Sequence, residues 1–98
     1  MILIILQVVK KKHFVACLVN KTSKIKMKIF SNQPGLQLYT GHKLNFKSKR
    51  KKLSFFQGLC LETQHFPNSP NQKNFPTTLA KPNKKYRLFT NYKFEKMI

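Results

Sequence analysis

Apolar and polar residues alternate with a period of two along much of this chain, and no segment sustains the period of an amphipathic helix. The clearest case is Lys24-Ile25-Lys26-Met27-Lys28-Ile29-Phe30, where Ile25, Met27 and Ile29 share one face and the lysines the other. That spacing predicts a strand with one buried and one solvated face. Residues 13–19 are β-branched and aromatic enough for a second strand, and Asn20-Lys21-Thr22-Ser23 between the two has turn chemistry, so the pair reads as a hairpin. Asn32-Gln33-Pro34-Gly35 then breaks the second strand: Pro presets one turn residue and Gly is expected to supply a positive φ at the next. An extended run over residues 36–40 follows, and Gly41 closes it.

Residues 43–52 are polar and basic and read as a solvated loop, with a short apolar segment at 53–56 and a further extended segment at 58–66 beyond it. Pro67, Pro70 and Pro76, interleaved with Asn68, Asn71 and Asn74, forbid helix and impose a long irregular passage. Residues 77–80 are extended again, 81–84 form a turn, and Tyr86, Leu88, Thr90, Tyr92 and Phe94 alternate to make the last strand. The fold class is therefore all-β and antiparallel, without internal repeats.

Composition changes the picture in one respect. The 98 residues carry 20 Lys and Arg against 2 acids, a formal charge of +18. An excess of that size would hold nucleic acid or an anionic membrane through phosphate contacts and counterion release. The competing reading is coding bias, because Lys, Asn, Phe and Ile are abundant together, as an AT-rich gene supplies them. Nearly all the basic residues are Lys, so the bidentate fork of Arg is almost absent, which favours bias over a dedicated nucleic-acid surface. The run Lys47-Ser48-Lys49-Arg50-Lys51-Lys52 is read as solvated, with a nuclear-localisation-like patch as the alternative.

Cys17 and Cys60 lie far apart, each in an apolar run where free Cys behaves as a small hydrophobe, and the reading is a reduced, cytoplasmic compartment. His13, His42 and His65 have no spacing that gathers them with these thiols, so no metal site is expected. The apolar residues 1–9 are too short to span a bilayer, and their positive charges follow instead of preceding them. Neither a signal peptide nor a membrane anchor is expected.

The candidate for chemistry is Glu62. In Gly58-Leu59-Cys60-Leu61-Glu62-Thr63-Gln64-His65-Phe66, a strand places Cys60, Glu62, Gln64 and Phe66 on one face and Leu59, Leu61, Thr63 and His65 on the other. A lone carboxylate in so apolar a run is unusual, and its plainest role is to pair with one of the many lysines. Glu95, beside Lys93 and Lys96, is expected to be solvated.

The order of Gln33-Pro34-Gly35-Leu36-Gln37-Leu38-Tyr39-Thr40-Gly41, of 58–64, of Phe66-Pro67-Asn68-Ser69-Pro70-Asn71, of Phe75-Pro76, and of Tyr86 and Tyr92-Lys93-Phe94 resembles the C-terminal region of aldose 1-epimerases, or galactose mutarotases. The resemblance covers about residues 14–94 and leaves 1–12 as an unmatched apolar and basic leader ahead of a partial domain at 13–98. It implies the C-terminal portion of a large antiparallel β-sandwich. It also implies interconversion of the α and β anomers of galactose or glucose without a cofactor. Glu62 falls on the family's general base and Gln37 on a residue that contacts the sugar. The family's general-acid His, a second His, an Arg and an Asp lie upstream of anything matched, and His13, His42 and His65 fall on none of those motifs. Asn68 stands where the family usually has Asp, His42 where it has Asn, and Asn83 where Gly is common.

The resemblance thus implies a partial enzyme, inactive as a lone chain unless an upstream segment completes it, with an aldohexose as its substrate and neither specific nucleic acid nor membrane as a partner. The alternatives are a small basic module, whose binding would weaken steeply with salt, and a non-functional relic, which dispersed amide resonances would exclude.

Overall fold

The computed structural model describes residues 11–98 in full and residues 2–5 as backbone. Of the leader at 1–12, Met1 and residues 6–10 therefore lie outside the described residues. Among the described residues, eight strands and one short 3₁₀ turn follow in chain order: β1 Ile2–Ile5, β2 His13–Asn20, β3 Ile25–Ser31, β4 Gly35–Tyr39, β5 Phe46–Lys47, β6 Lys52–Leu53, β7 Cys60–Gln64, the turn Ser69–Asn71, and β8 Thr90–Lys96. They form two three-stranded antiparallel sheets, ordered β1-β4-β7 and β2-β3-β8, and a small β5-β6 ribbon. This is the all-β, antiparallel architecture that the period-two pattern implies, and it is consistent with a portion of the β-sandwich that the resemblance implies.

The predicted hairpin is β2 and β3. Asn20 Oδ1 accepts from the backbone N–H groups of Thr22 and Ser23, each at 3.0 Å, which ties the connection and leaves Lys24 in the left-handed region at φ 60°. The ladder slips between Phe14 and Ala16, a bulge that turns Val15 inward. Val15 meets Ile29 of β3 and Leu36 of β4 in a core joined by Ala16, Met27 and Leu61. Ile29 and Leu36 are fully buried. They come from different sheets, so this small cluster is what binds the layers together.

The chain passes from one sheet to the other at residues 32–34, and there Gly35 has a different role from the one expected. Its φ is not positive. Instead a Cβ at this position would stand 3.0 Å from the Phe66 ring and 3.1 Å from the Gln64 carbonyl, so the glycine admits a close approach of backbone to ring. The positive φ falls at Gly41 (73°), where a Cβ would strike the Gly58 carbonyl at 2.2 Å. Asn68 and Asn83 are also left-handed, at 61° and 59°, a conformation Asn tolerates better than most residues.

The basic run is the tip of the β5-β6 ribbon and is solvated throughout. Ser48 closes it: its N–H donates to the Lys51 carbonyl at 2.7 Å and its Oγ accepts from the Lys51 N–H at 3.1 Å.

Two strand expectations are revised. Residues 77–80 join no sheet, and β8 begins at Thr90, four residues after the alternation does. The β3 ladder ends at Ser31 opposite Thr90, and beyond it the Asn32 side chain stands in for a strand. Its Nδ2 donates to the Arg87 carbonyl at 2.9 Å, and its Oδ1 accepts from the Phe89 N–H at 3.2 Å. No helix among the described residues is long and apolar enough to cross a membrane.

Candidate functional site

The antiparallel pairing of β4 with β7 sets Gln37 directly opposite Glu62, with Leu36 opposite Thr63 and Leu38 opposite Leu61. Side chains alternate across a strand, so Gln37 and Glu62 emerge on the same face as neighbours. Directly opposed residues hold their Cβ atoms about 4.5–5.5 Å apart. The two residues singled out for chemistry, distant in sequence, are thus adjacent in space.

The other face of the same two strands is the supporting one. Leu36 is buried in the core, Leu61 packs against it, and the Thr63 hydroxyl bonds to the Thr90 hydroxyl of β8. The sequence at 61–64 therefore divides cleanly: Leu61 and Thr63 hold the strand while Glu62 points away from the core.

Burial differs within the pair. Gln37 is buried at 5% exposure, whereas Glu62 is exposed. The register thus sets a buried glutamine opposite an exposed glutamate that a ligand can reach. Among the described residues Glu62 takes part in no salt bridge, and every ion pair belongs to the other acid. The lysine-paired reading of Glu62 is therefore not what the structure shows.

Glu95 instead takes that part. On β8 it lies opposite Lys26, and its carboxylate meets Lys93 at 3.3 Å and Lys26 and Lys28 at 3.4 Å each. These lysines, Lys93 first, hold its carboxyl below the usual carboxylate range against a smaller opposing effect of desolvation. Sequence reading missed this cluster, since only the β3-β8 register brings Lys26 and Lys28 to Glu95.

The remaining candidates do not assemble. His42 is exposed and stands edge-on to the Tyr39 ring at 5.3 Å. His13 Nδ1 lies 3.0 Å from the Lys11 carbonyl, far along the chain from β7. Cys17 and Cys60 are both free and exposed, not buried as small hydrophobes, because each falls on the outward phase of its strand. No three His, Cys, Asp or Glu side chains among the described residues are placed to hold a metal ion.

Comparison with known proteins gives a consistent result. The sequence model of the family described as aldose 1-epimerase matches residues 6–93, beginning ahead of the first motif that carries the resemblance. The chain is 38% identical to galactose mutarotase of Homo sapiens and 39% identical to that of Mus musculus, each over 88 residues covering 87% of this chain and 26% of the relative. It is 32% identical to the aldose 1-epimerase of Escherichia coli over 75 residues, 72% of this chain and 22% of that protein. The chain thus spans about a quarter of the length of these relatives. No solved structure matches it.

Proposed function

This chain belongs to the aldose 1-epimerase family, and on that premise we propose that it supplies the base half of a sugar-opening site, with Glu62 as general base and Gln37 as a sugar contact. The observation that carries this reading is the β4-β7 register, which sets the two residues opposite each other with Glu62 open to solvent and in no salt bridge among the described residues.

The chemistry explains what each residue does. Glu62 takes the proton from the anomeric hydroxyl of an aldohexose such as galactose or glucose while an acid protonates the ring oxygen. The bond between C1 and the ring oxygen breaks and an open-chain aldehyde forms. Rotation about C1–C2 then presents the other carbonyl face, and reclosure returns both protons. The buried amide of Gln37 fixes the orientation of a sugar hydroxyl next to the base. The steps are proton transfers and the reversible cleavage of one C–O bond, with no net oxidation or reduction, so the reading calls for no redox or metal cofactor, and the free thiols suit a reducing, cytoplasmic setting.

These 98 residues carry no His on the family's acid motif, so the ring oxygen lacks its proton donor. A positioned proton-transfer group contributes about 10²- to 10⁴-fold in rate, and sugar positioning adds a separate factor. The chain alone is therefore expected to leave mutarotation near its uncatalysed rate. Polarimetry on fresh α-galactose checks this: the chain and its Glu62→Gln variant should give the same slow change in rotation. A faster change that Glu62→Gln abolishes would show that the chain is active without a partner.

A further inference from the structure

Two hydrogen bonds from β8 bracket Glu62. The Tyr92 hydroxyl donates to the Leu61 carbonyl at 3.3 Å, on one side of it, and the Thr63 hydroxyl meets the Thr90 hydroxyl on the other. Thr90 and Tyr92 are two residues apart and so present their side chains on the same face of β8, where one meets the Thr63 side chain and the other the Leu61 backbone carbonyl two residues away. The match in spacing makes a two-point attachment of one strand to the other.

The direction of the threonine contact follows from counting protons. The Ser31 hydroxyl donates its only proton to the Phe89 carbonyl at 2.9 Å, so at its 3.4 Å contact with Thr90 it accepts. Thr90 thereby spends its proton on Ser31 and must accept from Thr63. The result is an ordered chain, Thr63 to Thr90 to Ser31 to the Phe89 carbonyl, running from β7 into the sheet that carries β3. Ser31 is fully buried, which keeps that chain from competing with water at its root.

β7 is the outer strand of its sheet among the described residues, paired with β4 on one side only. A strand held along one edge can twist about its axis, and such a twist would swing Glu62 away from Gln37. We infer that Thr90 and Tyr92 are positioning residues that fix β7 against this twist and so keep the Glu62 carboxylate beside Gln37. The link to sugar chemistry rests on the functional reading above, whereas the placement of Glu62 does not. Misplacing a reacting group by about 1 Å can cost about 10²-fold, so the attachment bears on function through the placement of Glu62.

The test is nuclear magnetic resonance on the full chain, comparing wild type with Tyr92→Phe/Thr90→Val and with the conservative Thr90→Ser. Wild type and Thr90→Ser should show cross-strand contacts between the Glu62 and Gln37 side chains and side-chain couplings typical of one Glu62 rotamer. In the double variant these contacts should vanish and the couplings average, with the amide spectrum still dispersed. Galactose, titrated as the probe, should bind the double variant about tenfold more weakly than wild type. Retention of the contacts and couplings in a folded double variant would overturn the inference. Should that variant lose its dispersed spectrum, Tyr92→Phe alone decides by the same criteria. Binding of galactose that Glu62→Gln leaves unchanged would count against the functional reading and leave the contact criterion to decide the positioning role.

Discussion

At the scale of single residues, the two glutamates of this chain have different environments among the described residues, and that of Glu95 has a measurable consequence. Glu95 is ringed by Lys93, Lys28 and Lys26, which lower its pKa in the folded state. A depressed carboxylate contributes stability that is present above its unfolded pKa, about 4.3, and is lost as pH falls through the folded value. Thermal melts from pH 6 down to pH 3 should therefore show an acid-side loss of stability that Glu95→Gln makes shallower, and added salt should reduce the difference. Ile29 poses a simpler question of packing. It is fully buried between the sheets, and Ile29→Ala should cost about 2–5 kcal/mol in a denaturant titration, a large share of the 5–15 kcal/mol typical of a whole domain. The inward phase of Ile29 was legible in the lysine alternation around it. The lysine cluster on Glu95 was not, because strand register is a long-range fact that local spacing does not contain.

Elements show the same division between local and distant causes. The β2-β3 hairpin follows from its own alternation and the Asn20 turn, so sequence alone places it. The end of β8 does not, since the pattern through Tyr86 and Leu88 continues to alternate after the pairing partner has run out. Asn32 sets that boundary by holding Arg87 and Phe89 with one side-chain amide. Asn32→Ala should accelerate hydrogen exchange of the Phe89 amide and cost about 1 kcal/mol, with the β2-β3 amides unaffected. For Gly35 the residue type was informative and the reason differed: space for Phe66 and not a positive φ. A contact thirty-one residues away cannot be read from a Pro-Gly pair. The pairing of Gln37 with Glu62 is of this kind too: the resemblance to a family singles out each residue separately, and only the register sets them opposite each other.

The whole molecule is an open one. Its buried apolar core consists of Val15, Ile29, Leu36 and Phe66 among the described residues, while Phe56, Leu79 and Phe94 remain 66–70% exposed. Phe94 lies opposite Met27 and Tyr92 opposite Ile29, so the apolar face of the β2-β3-β8 sheet continues past the point where the second sheet covers it. Such a face, together with strand edges that are unpaired among the described residues, is consistent with a portion of a larger sandwich. The relatives supply that frame, since this chain matches about a quarter of their length. The central claim is that this quarter contributes the base to a site completed elsewhere. Its most direct test is the mutarotation rate of fresh α-galactose, followed by polarimetry, when the chain is refolded with the human relative truncated to the part it does not match. The account predicts catalysis that neither piece gives alone and that Glu62→Gln reduces at least a hundredfold, consistent with the range for one proton-transfer group. Catalysis in the mixture that survives Glu62→Gln would contradict it.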